Sequence, residues 1–262
     1  MNPIRLALAF CVLAAVTGLT RGLPLPTDAT AHAWVWLALS GLVGFTLGDM
    51  FLFEAFVLVG ARISMLIMSL VPLITVLVGW GILGERLSSR ELLGMGLTIA
   101  GVAWVILERR RDAAGRIVRL PILGILLAFG GAAGQASGLV LSKFGMGEYD
   151  ALAATHIRII AGIAGMTVLY ALAGWWPRTL RALRDRPAMA RIGLGALFGP
   201  FLGVSLSLVA VKYTQAGVAA TLMALVPVFI IVPAVLIRKE PVTVRAMSGA
   251  VVAVAGSALL FL

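Results

Sequence analysis

Cysteine, histidine and charged residues are scarce in this chain of 262 residues. The single cysteine, Cys11, lies inside an apolar run, so an internal disulfide framework is excluded. His156 has no second histidine at ligand spacing, so no metal site is predicted. Charged residues make up only 12% of the chain, whereas a soluble domain carries about a quarter. So few charges cannot cover a surface with polar groups, and lipid is therefore the expected solvent.

Enzyme motifs are also missing from the sequence. It contains no Walker loop, no HExxH, no CxxC and no G-x-S-x-G, so neither an enzymatic activity nor a cofactor is predicted. A net charge of +10 would suggest nucleic acid as a partner for a soluble protein. Here the arginines lie in short segments between apolar runs. That placement favours cytoplasmic loops near anionic headgroups over a nucleic-acid surface.

Hydrophobic residues, in contrast, make up 61% of the chain and form long runs. The runs approach the ~20 residues that cross a bilayer as a helix, and they do not alternate as the strands of a barrel would. We therefore predict an all-α, polytopic membrane helix bundle with about nine transmembrane helices. The predicted spans are 4–20, 34–58, 63–84, 91–108, 120–142, 152–173, 192–212, 217–237 and 244–262. The first span is interpreted as a retained helix rather than a cleaved signal peptide.

The chain also contains an internal duplication. Residues 36–107 and 191–262 align without a gap at an offset of 155. In each copy an apolar run is followed by an acidic residue and then by an arginine. A hydrophobic unit repeated at this length is typical of transporters, whose substrate sites lie between the two repeats.

Two motifs occur in both copies: a proline and a glutamate separated by twelve residues, and then two glycines separated by six. They are Pro72 and Glu85, Pro227 and Glu240, Gly94 and Gly101, and Gly249 and Gly256. With these paired motifs the chain resembles the EamA type of the drug/metabolite transporter superfamily. The resemblance implies a carrier of ten helices, built from two inverted five-helix repeats around a central cavity.

The chain departs from that pattern in its first repeat. Residues 1–112 are predicted to form the first repeat with only four helices, and residues 119–262 the second with five. Nothing before Arg5 corresponds to residues 120–143, which hold the first helix of the second repeat. Either the reading frame starts late and one helix is missing, or this is a nine-helix variant. A late start is favoured.

Membrane orientation is left open by two conflicting arguments. If the loops alternate sides, fifteen of the 21 basic residues fall on one side. The positive-inside rule then places residue 1 in the cytoplasm and Leu262 outside. The resemblance implies a cytoplasmic C-terminus instead.

Two acidic residues, Asp49 and Glu54, lie well inside the second predicted span. A charge at mid-bilayer costs somewhere between ~3 and ~10 kcal/mol or more, so it normally faces a cavity or a partner. The two positions are about 140° apart on a helix and need not share a face. We predict both in the substrate pathway, with Asp49 as the better candidate for substrate or proton coupling. The alternatives are a buried hydrogen bond to a neighbouring helix, or an interfacial position for Glu54.

Four more polar residues are predicted to line the pathway: Gln135, Ser137, Arg158 and Tyr213. Gln135 and Ser137 lie mid-span, where they could bind a polar substrate or join two helices. Arg158 could hold a substrate carboxylate, pair with an acidic residue, or extend to the headgroups. Tyr213 ends a span, where an interfacial anchor is the alternative.

Three prolines, Pro72, Pro227 and Pro233, lie within apolar spans. Proline removes a backbone donor and frees a carbonyl, so each is predicted to kink its helix. Such a kink could shape the cavity or act as a hinge, and a static kink is the alternative.

These observations together predict a secondary-active transporter in the bacterial inner membrane that works by alternating access. Its expected substrates are small polar metabolites such as amino acids, and export is favoured. Its expected partners are the substrate, membrane lipids and a coupling proton, while a homodimer is left open. The alternatives are a non-transporting or truncated membrane subunit, or a flippase for lipid-linked sugars.

Overall fold

The computed structural model describes residues 2–106, 121–183, 185–225 and 244–259. Every regular element in these ranges is a helix, which confirms the predicted all-α class. In chain order the elements are α1 (Asn2–Arg21), α2 (Ala31–Gly41), the π-helix π1 (Leu42–Gly48), α3 (Asp49–Leu58), α4 (Gly60–Met68), α5 (Val71–Leu83), α6 (Ser89–Ile106), α7 (Ile122–Met146), α8 (Ala151–Leu172), α9 (Trp176–Ala182), α10 (Arg186–Ala196), the π-helix π2 (Leu197–Gly203), α11 (Val204–Tyr213), α12 (Ala216–Met223) and α13 (Val244–Ala258).

Six helical stretches among the described residues are long and apolar enough to cross a membrane. They are Asn2–Arg21, Ala31–Leu58, Ile63–Leu83, Ile122–Met146, Ala151–Leu172 and Arg186–Tyr213. Each overlaps one predicted span, and the predicted polytopic membrane bundle is confirmed. The count of nine stays a prediction, because most of span 217–237 lies outside the described residues.

Helix boundaries recur at the offset of 155 seen in the sequence. Helices α2, π1 and α3 follow one another directly, and α10, π2 and α11 repeat the same succession with the same boundaries. Both π-helices have the sequence L-x-G-x-x-L-G. Because π-helical turns are rare, their recurrence at one place in both copies indicates that this motif favours the turn.

Local capping explains where several helices start and stop. Asp150 Oδ1 accepts a hydrogen bond from Ala153 N at 2.9 Å and so begins α8. Ser88 and Glu91 form a reciprocal capping box at the start of α6, with Ser88 N donating to Glu91 Oε2 at 2.7 Å. Gly84 ends α5 with φ 67°, a left-handed conformation that suits glycine.

The span that contains α4 and α5 is broken near its middle. Ser69 Oγ donates to the Leu66 carbonyl at 2.6 Å and closes the last turn of α4. Pro72 lies in the first turn of α5, where backbone N–H groups have no intrahelical acceptor, so its missing donor costs nothing there. The break is therefore compatible with the proline that follows it.

The described helices pack into two compact units, and each unit takes segments from both copies of the duplication. Unit 1 comprises Met1–Leu47 and Ser137–Thr214, and unit 2 comprises Gly48–Ala136 and Gln215–Leu262. This division reflects packing, whereas the predicted repeats reflect sequence relatedness. The repeat boundaries stay a prediction.

The apolar core of unit 1 forms where α1, π1 and α8 meet. Its buried members are Leu6, Ala9, Leu13, Phe45, Ile159 and Met166. A polar contact joins α2 to α7 nearby in the unit, where Ser142 Oγ donates to Ser40 Oγ at 3.1 Å. Both serines are fully buried, so this hydrogen bond is protected from water.

Polar contacts also connect the loops at one end of unit 1. Tyr149 Oη donates to Asp28 Oδ1 at 2.8 Å, and Arg21 Nη2 pairs with Asp28 Oδ2 at 2.5 Å. Lys212 Nζ donates to the Glu148 carbonyl at 2.8 Å and the Tyr149 carbonyl at 3.1 Å. These contacts tie the α1–α2 loop to the α7–α8 turn, and that turn to the end of α11.

In unit 2, α6 and α13 pack with their backbones in contact. A Cβ added to Gly101 would lie 2.5 Å from Ala253 N, and one added to Gly256 would lie 2.5 Å from Thr98 N. Thr98 Oγ1 also donates to the Ala253 carbonyl at 3.4 Å. The glycines of the duplicated motif are therefore the residues that permit this close approach.

Large apolar side chains remain exposed on both units. Leu172 is 85% exposed, Val57 78% and Leu77 68%. Water solvates such side chains poorly, whereas lipid tails solvate them without penalty. The exposed faces agree with a chain that crosses the bilayer several times.

Candidate functional site

Asp49 is a buried carboxylate within a membrane span. It is the first residue of α3 and directly follows π1, in the apolar stretch Ala31–Leu58. Its side chain is only 6% exposed. A carboxylate in this position needs polar partners, because desolvation strongly penalises its charge.

Gln135 of α7 supplies a polar partner to that carboxylate. Its Nε2 donates to Asp49 Oδ1 at 3.0 Å, and both residues belong to unit 2. The hydrogen bond joins residues 86 positions apart in sequence. Two of the predicted pathway residues are thus in direct contact.

Small residues bring α3 and α7 close enough for this contact. A Cβ added to Gly131 would lie 3.2 Å from Leu52 Cβ and 3.3 Å from the Gly48 carbonyl. Ala55 of α3 and Ala128 of α7 are fully buried in one cluster. Glycine and alanine therefore set the helix separation, and Asp49 and Gln135 bridge it.

The arrangement can perform two kinds of chemistry. The ionised carboxylate accepts hydrogen bonds and attracts a cationic group, while the amide both donates and accepts. When protonated, the same carboxyl becomes a donor, so its interactions depend on whether a proton is bound. A buried acid hydrogen-bonded to an amide therefore suits polar-solute binding, proton binding, or both in turn.

The remaining predicted pathway residues lie elsewhere. Glu54 is exposed, on a different face of α3 from Asp49. Ser137 is half-buried on α7 and belongs to unit 1, and Tyr213 ends α11 with 81% exposure. Their predicted roles stay predictions.

Arg158 is buried on α8 in unit 1, with 4% exposure. Its guanidinium carbon lies 5.0 Å from the centre of the Phe45 ring, a cation–π arrangement. Phe45 lies in π1, four residues before Asp49. The arginine therefore contacts the segment that leads into the acidic residue.

Of the three predicted helix kinks, only Pro72 can be placed. It follows the break between α4 and α5. Pro227 and Pro233 lie outside the described residues. A fourth proline, Pro200, lies inside π2 and was not predicted as a kink.

Glu85, the acidic residue of the first Pro–Glu motif, makes a structural contact at the start of α12. Its Oε2 accepts a hydrogen bond from Ala216 N at 2.9 Å, at the first residue of α12. Gln215, the N-cap residue of that helix, makes no capping hydrogen bond through its side chain. Glu85 thus caps α12 from the end of α5, and its negative charge suits the helix N-terminus.

Comparisons with known proteins agree with one another. The EamA-like transporter family matches residues 1–107 and 122–262. The uncharacterized transporter YvbV of Bacillus subtilis (strain 168) is 25% identical over 179 residues, which are 68% of this chain and 55% of that protein. The chain therefore spans about half the length of this curated relative.

A solved crystal structure has a similar backbone. It superposes with a TM-score of 0.71 at 18% sequence identity, covering 99% of this chain and 88% of the other. At this identity the likeness shows the fold alone.

Proposed function

This chain belongs to the EamA-like transporter family, and on that premise we propose that it carries a small polar metabolite by alternating access. It is a multi-pass membrane transporter of the drug/metabolite transporter type. The finer proposal is a secondary-active carrier of the bacterial inner membrane that exports amino acids or related compounds. Its partners in transport are the solute, a coupling proton and the surrounding lipid.

The observation that carries this proposal is the buried pair of Asp49 and Gln135. Burying a carboxylate inside a membrane span costs free energy, and Asp49 is only 6% exposed. Acidic residues in such positions usually belong to a pathway for substrate or protons. The position matching Asp49 at the offset of 155 is Val204, so the fold of the duplicated unit does not itself require an acid there. The asymmetry supports a role in binding or coupling rather than in the scaffold.

The proposed substrates follow from the chemistry of this pair. A carboxylate beside an amide favours a solute that offers an ammonium or other donor group together with an acceptor. Amino acids and related amines meet that description. Proton uptake by Asp49 would compete with such a solute, which provides a route for exchange of the two.

The test is uptake by purified protein in proteoliposomes, screened over amino acids, nucleosides and cationic drugs. With a transported solute identified, Asp49→Asn should lower the initial rate by at least about tenfold, or ~1.4 kcal/mol in the barrier. Since asparagine cannot take up a proton, the residual rate should also lose its dependence on pH.

Two further variants sharpen this experiment. Gln135→Leu removes the hydrogen bond to Asp49 and should raise KM, whereas Glu148→Gln replaces an exposed acid in the α7–α8 turn and should leave uptake unchanged. Unaltered uptake and pH dependence in Asp49→Asn would remove Asp49 from the mechanism.

A further inference from the structure

Helix π1 is seated on α8 through an arginine and two glycines. The Arg158 guanidinium lies over the Phe45 ring, and its Nη2 would lie 3.4 Å from a Cβ added to Gly44. A Cβ added to Gly162 would lie 3.0 Å from Phe45 Cβ. A side chain on Gly162 would press on Phe45, whereas one on Gly44 would only reach the movable head of Arg158, so Gly162 is the glycine on which this close approach depends.

The neighbouring helices hold the other faces of π1. Gly165 of α8 is packed directly against the Thr46 hydroxyl. On α7, a Cβ added to Gly138 would lie 3.2 Å from Gly44 Cα. All of these residues belong to unit 1, so π1 is fixed between α7 and α8 within a single packed body.

The second copy repeats the pairing of helices but not the arginine contact, because Phe45 corresponds to Pro200, and a Cβ added to Gly199, the counterpart of Gly44, would meet nothing within 4 Å. Arg5 follows Ile4 in the first turns of α1, and Arg158 follows Ile157 in α8. Helix α1 packs on π2, just as α8 packs on π1. In both cases the arginine-bearing helix of one copy supports the π-helix of the other, all inside unit 1.

A π-helix is rare and is usually confined to a single turn, so packing contacts can decide whether the turn is kept. Relaxing it to an α-helix would change the phase of the following helix by about one residue, or roughly 100°. Asp49 immediately follows π1, so the direction of its carboxylate depends on whether the π turn is kept. Arginine is suited to this task, since its planar head stacks on a ring and remains charged when buried.

We propose that Arg158 is a positioning residue that holds the π-helical turn Leu42–Gly48 and thereby aims Asp49 at Gln135. This role rests on the proposed function in one respect, namely that Asp49 takes part in transport. The seating of π1 on α8 can be measured without any transported solute.

The first experiment is a disulfide cross-link between π1 and α8. Cysteines replace Thr46 and Gly165 in a Cys11→Ser background, which removes the chain's only native cysteine. The reference pair replaces Ser40 and Ser142, which join α2 to α7 and lie outside the arginine contact. Oxidation by copper–phenanthroline in membranes then gives a rate for each pair.

With Arg158 present, the Ser40/Ser142 pair should cross-link readily. The Thr46/Gly165 pair is compared only with its own parent rate, because a Cβ at position 165 would also lie 2.6 Å from Leu42 Cδ2. Arg158→Ala should slow the Thr46/Gly165 pair at least about fivefold, since small misalignment prevents disulfide geometry. Arg158→Lys should fall between, and the Ser40/Ser142 pair should be unaffected in every background. Phe45→Leu should slow the cross-linking of the Thr46/Gly165 pair as Arg158→Ala does. Because the two residues act through one contact, the double substitution should slow it little more than either substitution alone.

Transport then separates the possible roles. For a positioning residue, Arg158→Lys should lower the maximal rate and retain part of the cross-linking. If Arg158 instead binds the substrate carboxylate, Arg158→Lys should raise KM and leave cross-linking at the original rate. That result would overturn the proposal. Equal cross-linking of the Thr46/Gly165 pair in Arg158→Ala and the parent would also overturn it. Failure of Asp49→Asn to affect uptake would instead remove Asp49 from the transport mechanism while leaving the cross-linking result intact.

Discussion

Replacing Gly101 by alanine should force α6 and α13 apart in unit 2. The new methyl group would lie 2.5 Å from Ala253 N and 2.6 Å from the Gly249 carbonyl. These neighbours are backbone atoms and cannot rotate away as a side chain can. The helices would have to separate by roughly 1 Å, and overpacking of this kind costs about 1–3 kcal/mol.

A matched control exists on the same helix. A Cβ added to Gly96 meets nothing within 4 Å, so Gly96→Ala adds a methyl group without a clash. It should stabilise α6 by up to about 1 kcal/mol, because glycine is the poorer helix former. Gly101→Ala gains the same propensity, so the difference between the two variants isolates the packing cost at about 1–3 kcal/mol.

The assay is unfolding of purified protein in mixed micelles, titrated with a denaturing detergent and followed by tryptophan fluorescence. Gly101→Ala should unfold at a lower detergent fraction than Gly96→Ala. The double variant Gly101→Ala with Ala253→Gly should not recover, since the clash is with a backbone nitrogen. Equal midpoints for the two single variants would show that α6 and α13 do not approach as closely as described.

Two further predictions concern contacts outside the spans. Burial raises the pKa of Tyr149 to about 12, and its hydrogen bond to Asp28 contributes to that rise. The pKa of Asp28 is lowered, mainly by the same hydrogen bond and to a smaller extent by the ion pair with Arg21. The Asp28 contribution to stability is therefore present above the ordinary aspartate pKa and is lost as the pH falls through the lowered value. Hydrogen exchange in residues 22–30 should stay slow at neutral pH and quicken under strong acid, and Tyr149→Phe should quicken it already at neutral pH. At the cap of α12, Glu85→Ala should cost about 0.5–2 kcal/mol of stability in the micelle assay. Ala216→Pro removes the donor but suits a first helical position, so Glu85→Ala should have little effect in that background.

Much of the fold could be predicted from the sequence because a membrane imposes simple demands. Each crossing must be a long apolar helix, so six predicted spans coincide with helices of the described chain. The duplication was visible in the sequence for the same reason, since both copies keep the glycines that the α6–α13 contact requires.

The candidate site was predictable only in part. Asp49 and Gln135 each stood out as polar residues in apolar spans, but their hydrogen bond joins two helices, and no pattern along either one specifies it. The two π-helices were not predicted, although L-x-G-x-x-L-G recurs at the offset of 155 and could have drawn attention to them. The hydrogen bond from Ala216 N to Glu85 could not be foreseen, because a backbone donor leaves no sign in the sequence.

The packing units were not predictable from the duplication either. Sequence repetition reports common descent, whereas packing follows from which helix faces are complementary. Here α1 and α8, from different copies, meet in unit 1, and α6 and α13, again from different copies, meet in unit 2. Similarity between the copies therefore gives no direct account of which helices pack together.

Counterflow in proteoliposomes tests the central claim most directly, since only a carrier that alternates its access can exchange labelled solute for unlabelled solute across a membrane. Vesicles loaded with an unlabelled amino acid or amine should transiently accumulate the external labelled form above its external concentration. Asp49→Asn should abolish that overshoot, while Glu148→Gln should retain it. Simple equilibration without overshoot, or an overshoot that survives Asp49→Asn, would contradict this account.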